Sequence, residues 1–263
     1  MKIIILGTGT PNIRAGSSAI IEVENNILLF DCGRWITLKL SQAKIRPNQV
    51  THFFFTHIFH WDHTCNYYDF LMSVRPGKIN IYGPPGTKEY TEKLLELHSK
   101  FGEGRAKPIL DWAKNHTTDV EKDVICSGNN WKVTAVNIDQ NTRWRPTIVY
   151  RVEHRGFSTV VAWDVHPRHD LHKKISRFWE YDDSYTSRKN LMDLMEGADL
   201  VIADVMKGHT TPEGVGIGAE KAKVKKLVLT HYGSEDQIDE LERIKKVFNG
   251  KVVIGEDLMN ISL

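Results

Sequence analysis

The sequence predicts an α/β protein built as one compact unit with two sheet-bearing halves, and three observations predict it. The chain has 263 residues, long for one domain and short for two. Short β-rich apolar runs occur in both halves, and from residue 188 onward they alternate regularly with helical patterns. No Gly/Ser-rich or Pro-rich linker and no low-complexity tract interrupts them.

In the first half, strands are expected at Lys2 to Leu6, Ser18 to Val23 and Ile27 to Asp31, the last two separated by the turn-like Glu24-Asn-Asn26. Arg34 to Lys44 has helical spacing and precedes His52 to Thr56, a near-continuous apolar run of the kind buried on both faces. A helix Tyr67 to Val74, a strand Lys78 to Tyr82 and a helix Thr87 to Lys100 follow, the last entered through Gly83-Pro-Pro-Gly86. Phe101 to Asn115 has no clear pattern. The second half predicts strands Trp131 to Asn137, Thr147 to Glu153 and Ser158 to Trp163, then a charged, His-rich and aromatic segment from Val165 to Tyr185. After it come helix Arg188 to Glu196, strand Leu200 to Asp204, helix Pro212 to Ala222, strand Lys226 to Thr230, helix Glu235 to Phe248 and strand Val252 to Ile254.

Composition excludes more than it identifies. Hydrophobic content of 41%, charge of 26% and a net charge of +2 give no acidic or basic bias that would name a partner, and no nucleic-acid stripe. Met1 to Leu6 is apolar, but Gly7 to Pro11 follows directly and leaves no room for a signal-peptide core. No window approaches the roughly 18 apolar residues of a membrane span. The expectation is a cytoplasmic protein without a membrane partner. Cys32, Cys65 and Cys126 are odd in number and widely spaced, which fits free buried thiols better than a disulfide framework. Gly7-Thr-Gly9 lacks the spacing of a dinucleotide or phosphate loop.

The chemistry concentrates after the buried strand. His57, His60, Asp62 and His63 put three histidines and an acid within seven residues. Side chains of this kind at a strand end can aim nitrogens and oxygens into one small volume, a donor set that zinc, iron or manganese accepts. A solvated polar loop has no need of so many imidazoles. The sequence resembles the metallo-β-lactamase superfamily, whose hallmark is HxHxDH at the end of a buried strand. Leu6-Gly-Thr-Gly-Thr-Pro11, Leu28-Leu-Phe-Asp-Cys-Gly33, Ile81-Tyr-Gly-Pro-Pro-Gly86 and Leu227-Val-Leu-Thr-His231 match, in order, segments typical of its ribonuclease Z-like and phosphodiesterase-like branch.

The resemblance implies an αββα sandwich of two mixed β-sheets flanked by helices, over a single domain spanning residues 1–263. It places Asp164 as the acid bridging two metals, His231 as the last histidine, and Asp31 as a structural acid beside the metal loop. Two departures stand out. His57 and His60 are three apart where the motif has two, so a bulge is needed to return both to the metal. Gln140 follows Asp139 where the branch has its fourth metal histidine, and an amide oxygen is a poor zinc ligand. Sorted by metal, site one would be His57, His60 and Gln140, and site two Asp62, His63 and His231, with Asp164 reaching both. Both departures fall on site one.

The implied activity is metal-dependent hydrolysis of an ester-type bond by a metal-held hydroxide, since a bound metal lowers the pKa of its water to about 7. Zinc is expected, one or two ions per chain, with iron or manganese as alternatives. Asp62 would orient or deprotonate the water. His209, in His-Thr-Thr-Pro212, resembles an acid near the phosphate, while Thr210 or Thr211 would cap the helix from Pro212. His166, His169 and His172 lie on one side of a helix if Pro167 starts it; they read as a solvated face, with His166 an alternative to the missing fourth histidine. His52, His98, His116 and His154 read as structural or surface residues. Trp61, Trp144, Trp163, Trp179 and Tyr181 could equally line a groove or fill the core. A small or short phosphodiester is the favoured substrate, a carboxylic ester or lactone remains open, and so does a homodimer. Processing of tRNA ends is not expected: Gln140 and Asp164 are 24 positions apart, too close for the substrate-gripping arm the branch carries there. The competing class is a catalytically impaired protein of this fold that binds a ligand or partner around one metal.

Overall fold

The computed structural model describes residues 1–9, 14–74, 78–101, 104, 106–138, 146–165, 189–205, 210–232 and 237–263. Its contacts cluster into two compact units, Met1–Glu121 with Glu256–Leu263, and Lys122–Gly255.

The first unit is built on strands β1 (Lys2–Gly7), β2 (Ser18–Val23), β3 (Asn26–Phe30), β4 (His52–Phe54), β5 (Asn80–Gly83), β6 (Thr117–Asp119) and β14 (Met259–Ser262), numbered along the chain. They form a seven-stranded sheet in the order β14-β1-β2-β3-β4-β5-β6. The pairs from β14 to β3 are antiparallel and those from β3 to β6 parallel. Register sets Leu29 beside Phe53 and Phe53 beside Ile81. These side chains share one core with Ile36 and Leu40 of helix α1 (Ile36–Gln42), Phe70 and Leu71 of α3 (Tyr67–Ser73), Leu95 of α4 (Thr87–Lys100), and Ile109 and Trp112 of α5 (Ala106–His116). Each large apolar side chain buried there stabilises the fold by roughly 1.5–3 kcal/mol. The four-residue helix α2 (Trp61–Thr64) sits in the loop that leaves β4.

The second unit mirrors that arrangement. Strands β7 (Lys122–Ser127), β8 (Trp131–Asn137), β9 (Ile148–His154), β10 (Phe157–Ala162), β11 (Leu200–Asp204), β12 (Lys226–Thr230) and β13 (Lys251–Ile254) form a sheet in the order β13-β12-β11-β10-β9-β8-β7. Pairs from β13 to β10 are parallel and the rest antiparallel. Its core joins Val160, Ala162, Val201, Ala203, Leu227 and Leu229 to residues of helices α6 (Lys189–Met195), α7 (Pro212–Lys221) and α8 (Gln237–Lys245), among them Leu191, Val215 and Ile244. Both halves therefore carry a mixed sheet flanked by helices, as expected of the α/β class. No described helix is long and apolar enough to cross a membrane.

Local chemistry explains where elements begin and end. The apolar run predicted as strand through Thr56 stops at Phe54, because the Thr56 N–H donates to Asp31 Oδ1 at 2.8 Å instead of continuing a ladder. Helix α4 starts after Gly86, which holds φ 96, and the distant Asp119 carboxylate accepts from the Gly86 and Lys88 N–H groups at 2.8 Å each. The unpatterned stretch after Phe101 contains α5, in which Pro108 occupies the first turn, where a missing N–H is harmless. The cysteines are free, but only Cys32 is buried; Cys65 is exposed and Cys126 half-buried.

One half-buried histidine away from the metal loop makes stability depend on pH. His52 on β4 stacks with Phe54 and Tyr82, each ring 6.3 Å away, and burial lowers its pKa from 6.5 to about 4. The unfolded chain then binds the extra proton first, so stability contributed by neutral His52 is present above pH 6.5 and is lost as pH falls toward 4. The expected result is a urea midpoint whose fall between pH 7 and pH 5 is shallower in His52→Gln than in the unaltered chain. Equal slopes would remove His52 as a source of the acid sensitivity.

Candidate metal centre

In the first unit, one carboxylate organises the predicted metal loop. Asp31 follows β3 directly, is fully buried, and holds φ 54, a left-handed conformation that Asp tolerates better than most residues. Its Oδ1 accepts the Thr56 N–H, and its Oδ2 accepts the Thr56 hydroxyl at 2.6 Å and lies 2.8 Å from His63 Nδ1. Because the carboxylate can only accept, His63 carries its proton on Nδ1 and its lone pair on Nε2. The Thr56 hydroxyl spends its proton on Asp31 and so accepts from His57 Nδ1, 3.0 Å away, which fixes His57 in the same tautomer. One buried acid thus presents two imidazoles through their Nε2 atoms, the arrangement in which histidine binds metal.

His57 Nε2 and His60 Nδ1 stand 3.2 Å apart, with Phe59 packed on both rings at centroid distances of 4.5 and 4.4 Å. The His57 and His63 rings pack with centroids 4.2 Å apart, tilted by 48°. Ligand atoms of Asp31, His57 and His63 lie within 4.8 Å of one another. Asp62 and His63 lie on α2, Asp62 half-buried and His63 fully so. The backbone under Asp62 is clamped: a Cβ on Gly33 would stand 1.9 Å from the Asp62 carbonyl oxygen and one on Gly16 2.4 Å from it, so glycine is required at both positions.

The second unit has its own cluster. Asp164, Asp204 and His231 are buried, with ligand atoms within 4.8 Å of one another, and His231 Nδ1 is 3.8 Å from Asp164 Oδ1. Asp164 follows β10 closely, Asp204 ends β11 and His231 follows β12. Flanking residues pin them: the Trp163 indole N–H donates to Thr230 Oγ1 at 2.8 Å, the Thr210 hydroxyl to the Val165 carbonyl at 2.7 Å, and the Tyr232 hydroxyl to the Gly255 carbonyl at 2.7 Å. Asp164 and His231 hold φ 52 and 53, the same left-handed region as Asp31. The strain is worth roughly 1–2 kcal/mol per residue and recurs where site geometry demands it.

Sequence reasoning does not single out Asp204; its one signal, an acid closing a buried apolar run as Asp31 and Asp164 do, is shared with ordinary strand-ending acids. Thr211 caps α7, accepting the Gly214 N–H at 3.1 Å. Trp163 is buried in the core and Trp61 is exposed. Asp139, Gln140, Trp144, His166, His169, His172, Trp179, Tyr181 and His209 lie outside the described residues.

Comparison with known proteins agrees with this architecture. A family model described as the anti-Pycsar protein Apyc1 matches residues 1–86. A ribonuclease Z of Mycolicibacterium gilvum is 28% identical over 284 residues, covering 100% of this chain and 96% of that protein. The metallo-β-lactamase fold protein YhfI of Bacillus subtilis superposes with a TM-score of 0.71 at 20% identity, over 99% of this chain and 98% of its own. The fold is that of the metallo-β-lactamases. The short form of human tRNase Z shares it, with a TM-score of 0.71 at 21% identity over 100% of this chain and 99% of its own. In this metallo-β-lactamase fold, buried histidines and acids stand at the carboxyl ends of parallel strands, where α/β sheets carry their sites.

Proposed function

We propose that the chain is a metal-dependent hydrolase of ester-type bonds, with a phosphodiester as the favoured substrate. The observation that carries this reading is the Asp31 carboxylate, which sets two buried imidazoles in one tautomer for a ligand. Solvation, packing or capping alone does not call for that arrangement. We assign His57, His60, Asp62, His63, Asp164 and His231 as metal ligands, a nitrogen and oxygen set that fits zinc and accommodates iron or manganese. A metal bound there would supply Lewis acidity and a water of lowered pKa. Asp62 accepts a proton from the attacking water, Asp31 holds His63 and His57 in register, and His209 is assigned to protonate the leaving oxygen. The ribonuclease Z and tRNase Z relatives favour the phosphodiester, and the 24 positions from Gln140 to Asp164 argue against tRNA-end processing.

Glutamine at the place of the fourth histidine favours a second reading, a binding module that keeps one metal and little turnover. Metal removal separates the two. Chelation followed by dialysis is expected to abolish hydrolysis of bis-p-nitrophenyl phosphate and to lower stability by about 2.7 kcal/mol relative to metal at a hundredfold its Kd. Counting zinc, iron and manganese per chain completes the test. Turnover restored by metal supports the hydrolase; a single inert ion that only raises the melting temperature supports the module. A zinc-soaked crystal with His63 and His231 unliganded would overturn both.

A further inference from the structure

Beside the metal loop the first unit holds a cluster that the hydrolytic roles leave unused. Trp61 and Trp35 are 59% and 44% exposed. The Arg34 guanidinium lies 4.7 Å from the Trp61 ring centroid and 5.6 Å from that of Trp35. Trp35 holds φ 67, a region that bulky side chains enter rarely, so its indole is displayed at a backbone cost. Sequence adjacency ties this cluster to the metal loop: Arg34 follows Gly33, Trp61 precedes Asp62, and Gly33 packs directly on the Asp62 carbonyl oxygen.

We propose that Arg34, Trp35 and Trp61 form a recognition subsite for a planar aromatic ring carried on an anionic ester, the chemistry of a nucleobase attached to a phosphodiester. The location of the ester rests on the hydrolytic reading; the ring-holding subsite goes beyond it. Indole faces attract planar rings whatever their hydrogen-bonding pattern, and a guanidinium over an indole adds positive charge that suits an anion. Trp61 and Asp62 are consecutive, so their Cα atoms are about 3.8 Å apart. The exposed Trp61 indole is thus carried on the residue next to Asp62, which joins the ring-holding subsite to the metal loop along the chain.

Two esters with one leaving group test the subsite: thymidine 5′-(p-nitrophenyl phosphate) and methyl p-nitrophenyl phosphate. In Trp61→Ala the preference for the thymidine ester is expected to fall about five- to a hundredfold, through KM, while Trp61→Phe keeps most of it. Metal-stripped protein is expected to bind thymidine 5′-monophosphate more tightly than ribose 5-phosphate in calorimetry, a difference that Trp61→Ala removes and Trp61→Phe retains. Equal loss on both esters would overturn the subsite and leave Trp61 a prop of the loop. Self-association that Trp61→Ala abolishes, without nucleotide binding, would overturn it in favour of a second copy of the chain. Nucleotide binding without turnover on either ester would instead sink the hydrolytic reading and leave the subsite standing.

Discussion

Asp31→Ala is expected to destabilise the protein by about 3–5 kcal/mol and to weaken its metal affinity at least tenfold to a hundredfold. The carboxylate is fully buried and takes the Thr56 N–H, the Thr56 hydroxyl and His63 Nδ1. Alanine leaves those donors inside the protein without their acceptor, at roughly 1–3 kcal/mol for each buried donor left unsatisfied. It must also adopt φ 54, which lacks the local hydrogen bonding that lets Asp occupy the left-handed region. Released from Asp31, both imidazoles can turn, and the tautomer that offers Nε2 is no longer enforced. Asp31→Asn keeps the shape and one acceptor oxygen, so it should lose less stability while retaining much of the metal defect. Urea denaturation of the metal-free proteins and a competitive zinc titration measure the two effects separately. An alanine variant within 1 kcal/mol of the parent would mean that the carboxylate does not organise the loop.

The legible part of this fold was the part whose pattern is local. β2, β8, β11 and β12 and helix α4 lie at the boundaries their apolar periodicity implied, because each buries its own alternating or one-sided set. What escaped is short and polar. β6 is Thr117–Asp119 and β14 is Met259–Ser262, strands at the sheet edges with one buried residue apiece; partners distant in the chain, not their own composition, make them strands. Of the proposed ligands, His57, His60, Asp62 and His63 are readable as a run, and Asp164 and His231 only through family resemblance. Asp204 was not read at all. Nothing local separates it from an ordinary strand-ending acid; its place beside Asp164 and His231 depends on parallel pairing of β10, β11 and β12. The shared left-handed φ of Asp31, Asp164 and His231 is equally invisible in sequence, since it appears only once the strands preceding them are fixed.

Asp62→Ala should lower kcat/KM on bis-p-nitrophenyl phosphate by about 10²–10⁴ while leaving the melting temperature of the metal-free protein nearly unchanged. The two expectations come from different atoms of one residue. The backbone of Asp62 is clamped: its carbonyl oxygen sits against Gly33 and Gly16, and the neighbouring His63 carbonyl accepts the Cys32 N–H at 2.8 Å. Truncating a half-buried side chain leaves that framework intact, in contrast to Asp31, whose side chain is itself the framework. The carboxylate is assigned to take the proton of the attacking water, a role worth the stated factor. Because Asp62 is also assigned as a ligand, the metal content of the variant decides how the loss arises. If the metal stays and kcat falls with KM unchanged, the carboxylate acts on the water; if the metal leaves, its contribution is ligation, and added zinc should recover part of the rate. Asp62→Asn separates these further, since the amide can still offer an oxygen but cannot take a proton. An alanine variant with undiminished turnover would remove Asp62 from the reaction and move the search for the base to Asp164 and Asp204.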